Sequence, residues 1–232
     1  MVFLMAANEA HARVAGIDLR MKRFGFFTGV GRGEYKGSDP YYDVKFATTP
    51  SIYGLTLAGG KFSRLWSFTA TRSNFYLQNR DRITFSTMAT YSIRLGQINE
   101  KQNYFFLGTS LRTLSFSREL SIDGEILYST PVTMLLPGIL LTYQHHITKG
   151  SLIFSQLIVD FPVYYTVLAN PDQSNQVNAR LNIGALVELS QHWSFHAESQ
   201  LSMNRSSTMN GPDKTFHTLY EGSLLTGLFY LF

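Results

Sequence analysis

Alternation of apolar and polar residues with period two, sustained over long segments, limits what this chain can fold into more than any other feature. Ile83, Phe85, Thr87, Ala89, Tyr91, Ile93 and Leu95 alternate with Thr84, Ser86, Met88, Thr90, Ser92 and Arg94. The same rhythm runs from Ala179 to Leu189 and from Trp193 to Leu201. Successive side chains of a strand point to opposite faces, so each segment has one apolar and one polar face. The longest apolar stretch, Ser151 to Leu168, contains Asp160 and Pro162. Both are costly inside a membrane helix, and period two describes this stretch better.

Ten segments read this way: 22–33, 50–60, 62–74, 81–96, 103–117, 132–147, 151–168, 177–190, 192–204 and 215–231. The links after every odd segment (34–49, 75–80, 118–131, 169–176 and 205–214) are mostly longer than those after every even one. Turn formers mark the long links, as in Gly37-Ser38-Asp39-Pro40, Asn170-Pro171-Asp172 and Asn210-Gly211-Pro212. The pattern predicts an all-β fold, a closed antiparallel up-and-down transmembrane β-barrel of about ten strands, with eight or twelve as alternatives. The first residues form a separate unit. Val2-Phe3-Leu4-Met5-Ala6 followed by Ala10-His11-Ala12 has the form of the end of a secretory signal, which makes 1–12 a signal remnant and 13–232 one barrel domain. A disordered N-terminus is the alternative reading.

Alternation does not say which face points outward, since a soluble barrel has the same period. Composition does. Charged residues are 16% of the chain, where soluble domains carry about 25%. The polar faces are built from Ser, Thr, Asn, Gln and Gly, as suits an enclosed lumen. The segments also exceed the roughly 9–11 residues that a tilted strand needs to cross a bilayer, so the barrel should project beyond it. Aromatic residues sit near segment ends on the apolar face, among them Phe24, Trp66, Tyr143, Trp193 and Tyr230, as in interfacial girdles.

The chain ends Gly227-Leu228-Phe229-Tyr230-Leu231-Phe232. Gly227, Tyr230 and Phe232 resemble the last-strand signal of bacterial outer-membrane β-barrel proteins. Leu225 departs from that pattern, which often has a polar residue there. The resemblance implies insertion in the outer membrane, outer-membrane lipid as surroundings, and recognition of this signal by the barrel-assembly machinery during biogenesis.

With lipid outside, the lumen receives a charge network of Arg94, Arg112, Asp160, Arg180, Glu188, His196, Glu198 and Glu221, with Gln156 and Gln200. Buried charges are paired as a rule, so this network is expected to fill the narrow bore. Glu198 and Glu221 fall opposite each other if the loop near Asn210 closes symmetrically, with Arg180 available as their cation. Gly25, Gly29 and Gly31 would leave space for a small polar cavity beside them. Pro137 and Pro162 lie within strands, where proline cannot donate to the ladder. Bulges accommodate such prolines; a lateral gap that passes lipid or an apolar molecule is the functional alternative, and outer-leaflet lipid-modifying barrels resemble it.

No catalytic residues emerge. His196 and Ser199 point to opposite faces, unlike the His-x-Ser arrangement of outer-membrane lipid hydrolases, and the acid and His pairs of omptin-type proteases are not evident. No ligand cluster suggests a metal, no motif suggests a cofactor, and scattered single cations suggest no nucleic-acid partner. The sequence therefore points to a small non-enzymatic outer-membrane barrel that presents external loops, such as 34–50 with Tyr35, Tyr41 and Tyr42, or passes limited solute or apolar molecules. A lipid-acting enzyme with access near Pro137 and Pro162, and a soluble β-barrel carrier, are the alternatives.

Overall fold

A computed structural model describes residues 22–38, 43–61, 63–77, 80–98, 103–122, 125–148, 151–165, 177–210 and 213–232. Twelve segments form one antiparallel sheet: β1 (Arg23–Ser38), β2 (Asp43–Thr48), β3 (Ser51–Lys61), β4 (Arg64–Leu77), β5 (Arg80–Ile98), β6 (Asn103–Ile122), β7 (Glu125–His146), β8 (Leu152–Asp160), β9 (Tyr164–Tyr165), β10 (Asn178–Glu188), β11 (Trp193–Asn210) and β12 (Asp213–Leu231). They make ten staves. β2 and β3 share one stave: the rungs Gly33–Thr48 and Val30–Ser51 keep one register. The break between them falls at Pro50, which has no N–H to donate, although its carbonyl still accepts from the Gly31 N–H at 2.9 Å. β8 and β9 share another stave, interrupted around Pro162.

The barrel closes where β12 pairs with β1 from Arg23–Leu231 to Ser38–Phe216. Lys22 and Phe232 exchange backbone hydrogen bonds of 3.2 and 3.0 Å at the basal end. The rungs from Arg112 through Met88, Thr69, Thr56, Gly25, Phe229, Ser194 and Glu188 descend around the wall. Continued across β8 and β7, they return to β6 about twelve residues lower, which for ten staves corresponds to a strand tilt of about 40°.

The exterior is apolar. Leu224, Val30 and Ile183 are 63%, 62% and 52% exposed, and Phe26, Leu55, Phe85, Leu111 and Ile139 share that face. A barrel with greasy residues outward has lipid as its solvent, so the structure rules out the soluble carrier, which needs them inside. The belt is bounded basally by Trp193, Tyr230 and Phe232, whose rings pack against one another. Distally it is bounded by exposed Arg32 and by Arg72, whose guanidinium lies 5.7 Å from the Phe85 ring centroid.

Most of the long links expected from the sequence are strand. β1 runs to Ser38 and β2 starts at Asp43; β4 runs to Leu77, β6 to Ile122 and β11 to Asn210. Beyond the bilayer both faces of a strand meet water, so the polar contrast that reveals a strand fades while the backbone ladder continues. Residues 34–50 are thus mostly strand, with Tyr35 on the rungs to Phe46 and Leu219. Tyr41, Tyr42, Asp39-Pro40, Asn170-Pro171-Asp172, Gly211-Pro212 and residues 1–12 lie outside the described residues.

Candidate functional site

The lumen is crossed by a dehydrated ionic layer. Arg112 on β6 and Asp160 at the distal end of β8 are each 1% exposed, and Arg112 Nε meets Asp160 Oδ2 at 2.8 Å. The Ser110 hydroxyl donates to Asp160 Oδ1 at 3.0 Å, and Arg112 Nη2 donates to Asn204 Oδ1 at 2.9 Å. Gly138 on β7 pairs with Asp160 and makes this approach feasible. A Cβ there would lie 2.4 Å from Asp160 Oδ1 and 2.6 Å from Ser110 Oγ, far inside van der Waals contact. Arg180 and Glu221 stand within electrostatic reach of Arg112 and of each other. Asn178 and Leu136, on the rungs to Asp160 and Arg112, are fully buried beside the pair.

Basal to this layer the lumen opens into a cavity of about 430 Å³. One wall is a row of amides on successive rungs. Gln200 Nε2 donates to Asn182 Oδ1 at 3.2 Å, Asn182 Nδ2 to Gln156 Oε1 at 3.3 Å, and Gln156 Nε2 to Thr142 Oγ1 at 3.4 Å. The facing wall carries hydroxyl pairs, Thr56 with Thr69 at 2.9 Å and Ser67 with Thr90 at 2.7 Å. Toward the mouth, His196 Nε2 lies 3.2 Å from Glu198 Oε2, and its ring stacks on Phe154 at 5.6 Å. Arg23 is close enough to Glu198 to interact with it, and exposed Glu188 stands on the rim.

Of the expected network, Arg112, Asp160, Arg180 and Glu221 converge in the ionic layer, while Glu188, His196 and Glu198 line the basal cavity. Arg94 lies apart, on β5 with Tyr104 as its electrostatic partner. Glu198 and Glu221 are not opposite each other. Glu198 pairs with Leu225 and Glu221 with Ser202, because the hairpin brings Asn210 against Asp213 and shifts the rungs by four positions. The expected glycine-lined polar space is filled by apolar side chains. A Cβ on Gly25 would meet the Phe229 ring at 2.3 Å, and one on Gly29 would lie 2.6 Å from Leu225 Cδ2. Sequence reading missed Ser110, Asn178, Asn182 and Asn204. Their inward parity was readable, but their convergence depends on the stagger.

No protein-family model and no curated protein sequence matches the chain. Solved structures do. The outer membrane protease OmpT from Escherichia coli superposes with a TM-score of 0.58 at 10% identity, over 91% of this chain and 97% of its own. The chain has the outer-membrane β-barrel fold. Neisserial surface protein A gives a TM-score of 0.41 at 12% identity over 89% of this chain and 97% of its own. OprG from Pseudomonas aeruginosa gives 0.39 at 10% over 94% and 98%. At these identities the likeness concerns fold alone. The apolar exterior makes the chain a membrane-spanning barrel, with both ends of the wall, Lys22 and Phe232, meeting at the basal rim.

In this β-barrel Tyr230 and Phe232 point outward into the basal girdle, 40% and 59% exposed. Gly227 lies under β1, where a Cβ would meet the Phe26 carbonyl oxygen at 2.5 Å. The β6–β7 register passes Pro137 without a shift. The Pro137 carbonyl accepts from the Phe161 N–H at 2.8 Å, and that of Leu135 accepts from Val163 at 3.0 Å. On its β7 side, then, the Pro162 stave is bonded through a one-residue bulge. On its other side the ladder to β10 is described up to the Asp160–Asn178 rung. Among the described residues no three His, Asp or Glu side chains gather as metal ligands.

Proposed function

We propose that the protein is a non-conducting, non-enzymatic outer-membrane barrel that holds a small molecule in its periplasmic cavity. The carrying observation is the Arg112–Asp160 layer, whose members are dehydrated as completely as any core residue. A porin lumen is wet throughout; this one is interrupted. The described His–acid pair, His196 with Glu198, lies on the periplasmic side of the layer, out of reach of an external peptide or an outer-leaflet lipid. In this reading outer-membrane lipid surrounds the apolar belt, and the barrel-assembly machinery reads Gly227, Tyr230 and Phe232.

Planar-bilayer recording tests it. The wild-type protein should insert without stepwise ohmic conductance, and the variant Arg112→Ala/Asp160→Ala, with both bulky groups removed, should conduct. A stable open channel in the wild type would defeat the proposal.

The break at Pro162 supports a second, narrower reading: an apolar molecule moves sideways between β8 and β10. That seam should then exchange its amide hydrogen quickly at Val177, while Phe161 and Val163, whose N–H groups donate to β7, and the β6–β7 ladder around Pro137 exchange slowly. Equally slow exchange on both sides removes this route.

A further inference from the structure

We infer that the periplasmic cavity is a binding site for a neutral saccharide; the inference rests on the closed-barrel reading and names its ligand class. The amide row is the first reason. Each carboxamide has two N–H donors and two acceptor lone pairs, and the bonds along the row use one donor each from Gln156, Asn182 and Gln200. The second N–H of each is left for a ligand, at intervals near the strand spacing of about 4.8 Å. A ring with several hydroxyls can engage such a row, and a single alcohol cannot.

A second, independent observation points to the same place. Gln144 and His146 line the cavity and are only 8% and 2% exposed, yet Gln144 Oε1 and His146 Nε2 have no hydrogen-bond partner among the described residues. Both atoms are buried behind the cavity surface, so each is a costly orphan that an occupant relieves by drawing the side chain round into the cavity. Aromatic rings supply the complementary surface. Phe154 on β8 and Phe229 on β12 line the cavity and can cover the C–H face of a sugar ring.

Charge and size narrow the class. Arg180 is matched by Glu221 in the ionic layer and exposed Glu188 is solvated on the rim, which leaves Arg23 against Glu198 inside the cavity, so a charged ligand would leave one charge over in a low-dielectric lumen. A volume of about 430 Å³ is at the small end for ligand pockets, which run from roughly 300 to 1,000 Å³. A mono- or disaccharide is the proposed occupant.

The test uses the full barrel in a zwitterionic detergent without a sugar headgroup. Binding of maltose, glucuronate and hexanol is followed by isothermal titration calorimetry. Maltose should give a saturable change, with glucuronate and hexanol weaker by about tenfold or more. Gln156→Met/Gln200→Met keeps side-chain volume and removes the donors, and should weaken maltose by about tenfold. Heat-shifted gel mobility confirms that the variant is folded. An equal response to all three probes, an undiminished affinity in the folded double variant, or no saturation by maltose overturns the inference. Such a failure in a barrel that does not conduct leaves the closed-barrel reading standing, and conductance in the wild type defeats that reading separately.

Discussion

Asp160→Ala should destabilise the barrel by about 3–5 kcal/mol, the cost of leaving one partner of a buried ion pair uncompensated. Both partners are 1% exposed and 2.8 Å apart, so water cannot solvate the Arg112 guanidinium left behind. Glu221 lies within electrostatic reach of Arg112 and takes over part of the compensation, which favours the lower half of that range. Replacing both partners by apolar residues of similar volume, Arg112→Met/Asp160→Leu, should recover most of the loss, because no isolated charge remains. Recovery stays incomplete: Asn204 Oδ1 and the Ser110 hydroxyl lose their partners, at about 1–3 kcal/mol for each group left unsatisfied. Reversible urea unfolding in lipid vesicles reads both effects. An Asp160→Ala midpoint equal to that of the wild type would mean that the layer is hydrated, and would remove the basis for a closed lumen.

Parity made the fold legible. Which side chains face lipid follows from counting in twos, and Arg112, Asp160, Arg180 and Glu221 were placed inward on that ground alone. Their meeting was not legible, because it depends on a stagger of about twelve residues around the wall and on registers that the sequence leaves open. The hairpin between β11 and β12 makes the difficulty concrete. Asn210-Gly211-Pro212 offers several turn centres, and the pairing of Asn210 with Asp213 moves Glu221 from Glu198 to Ser202. Glycines misled for a related reason. Gly25 and Gly29 leave room locally, but Phe229 and Leu225, more than 190 positions away, occupy it. The distal strand extensions were read as loops because polar residues on both faces erase the alternation, although the backbone pairing persists.

Ile183→Arg should cost about 2–4 kcal/mol, as expected for a cation on the lipid face near the bilayer midplane. Ile183 is the centre of the outward row Val177, Ala179, Leu181, Ile183, Ala185, Val187 and Leu189 on and beside β10, and it is 52% exposed. In water such exposure would make the change nearly neutral, so the size of the loss measures which solvent surrounds the wall. Val30→Arg provides the depth control. Val30 is 62% exposed but stands next to Arg32 in the outward row of β1, at the distal edge of the belt, where the cost should fall to about 0–1 kcal/mol. A polar neighbour sharpens the contrast. Asn182, one residue from Ile183, faces the lumen within the amide row, so a cation there meets hydrogen-bond acceptors instead of acyl chains. Unfolding free energies in vesicles should therefore rank Val30→Arg well above Ile183→Arg. Equal and negligible costs at both positions would show that the apolar wall faces water, and the membrane assignment with everything built on it would fail.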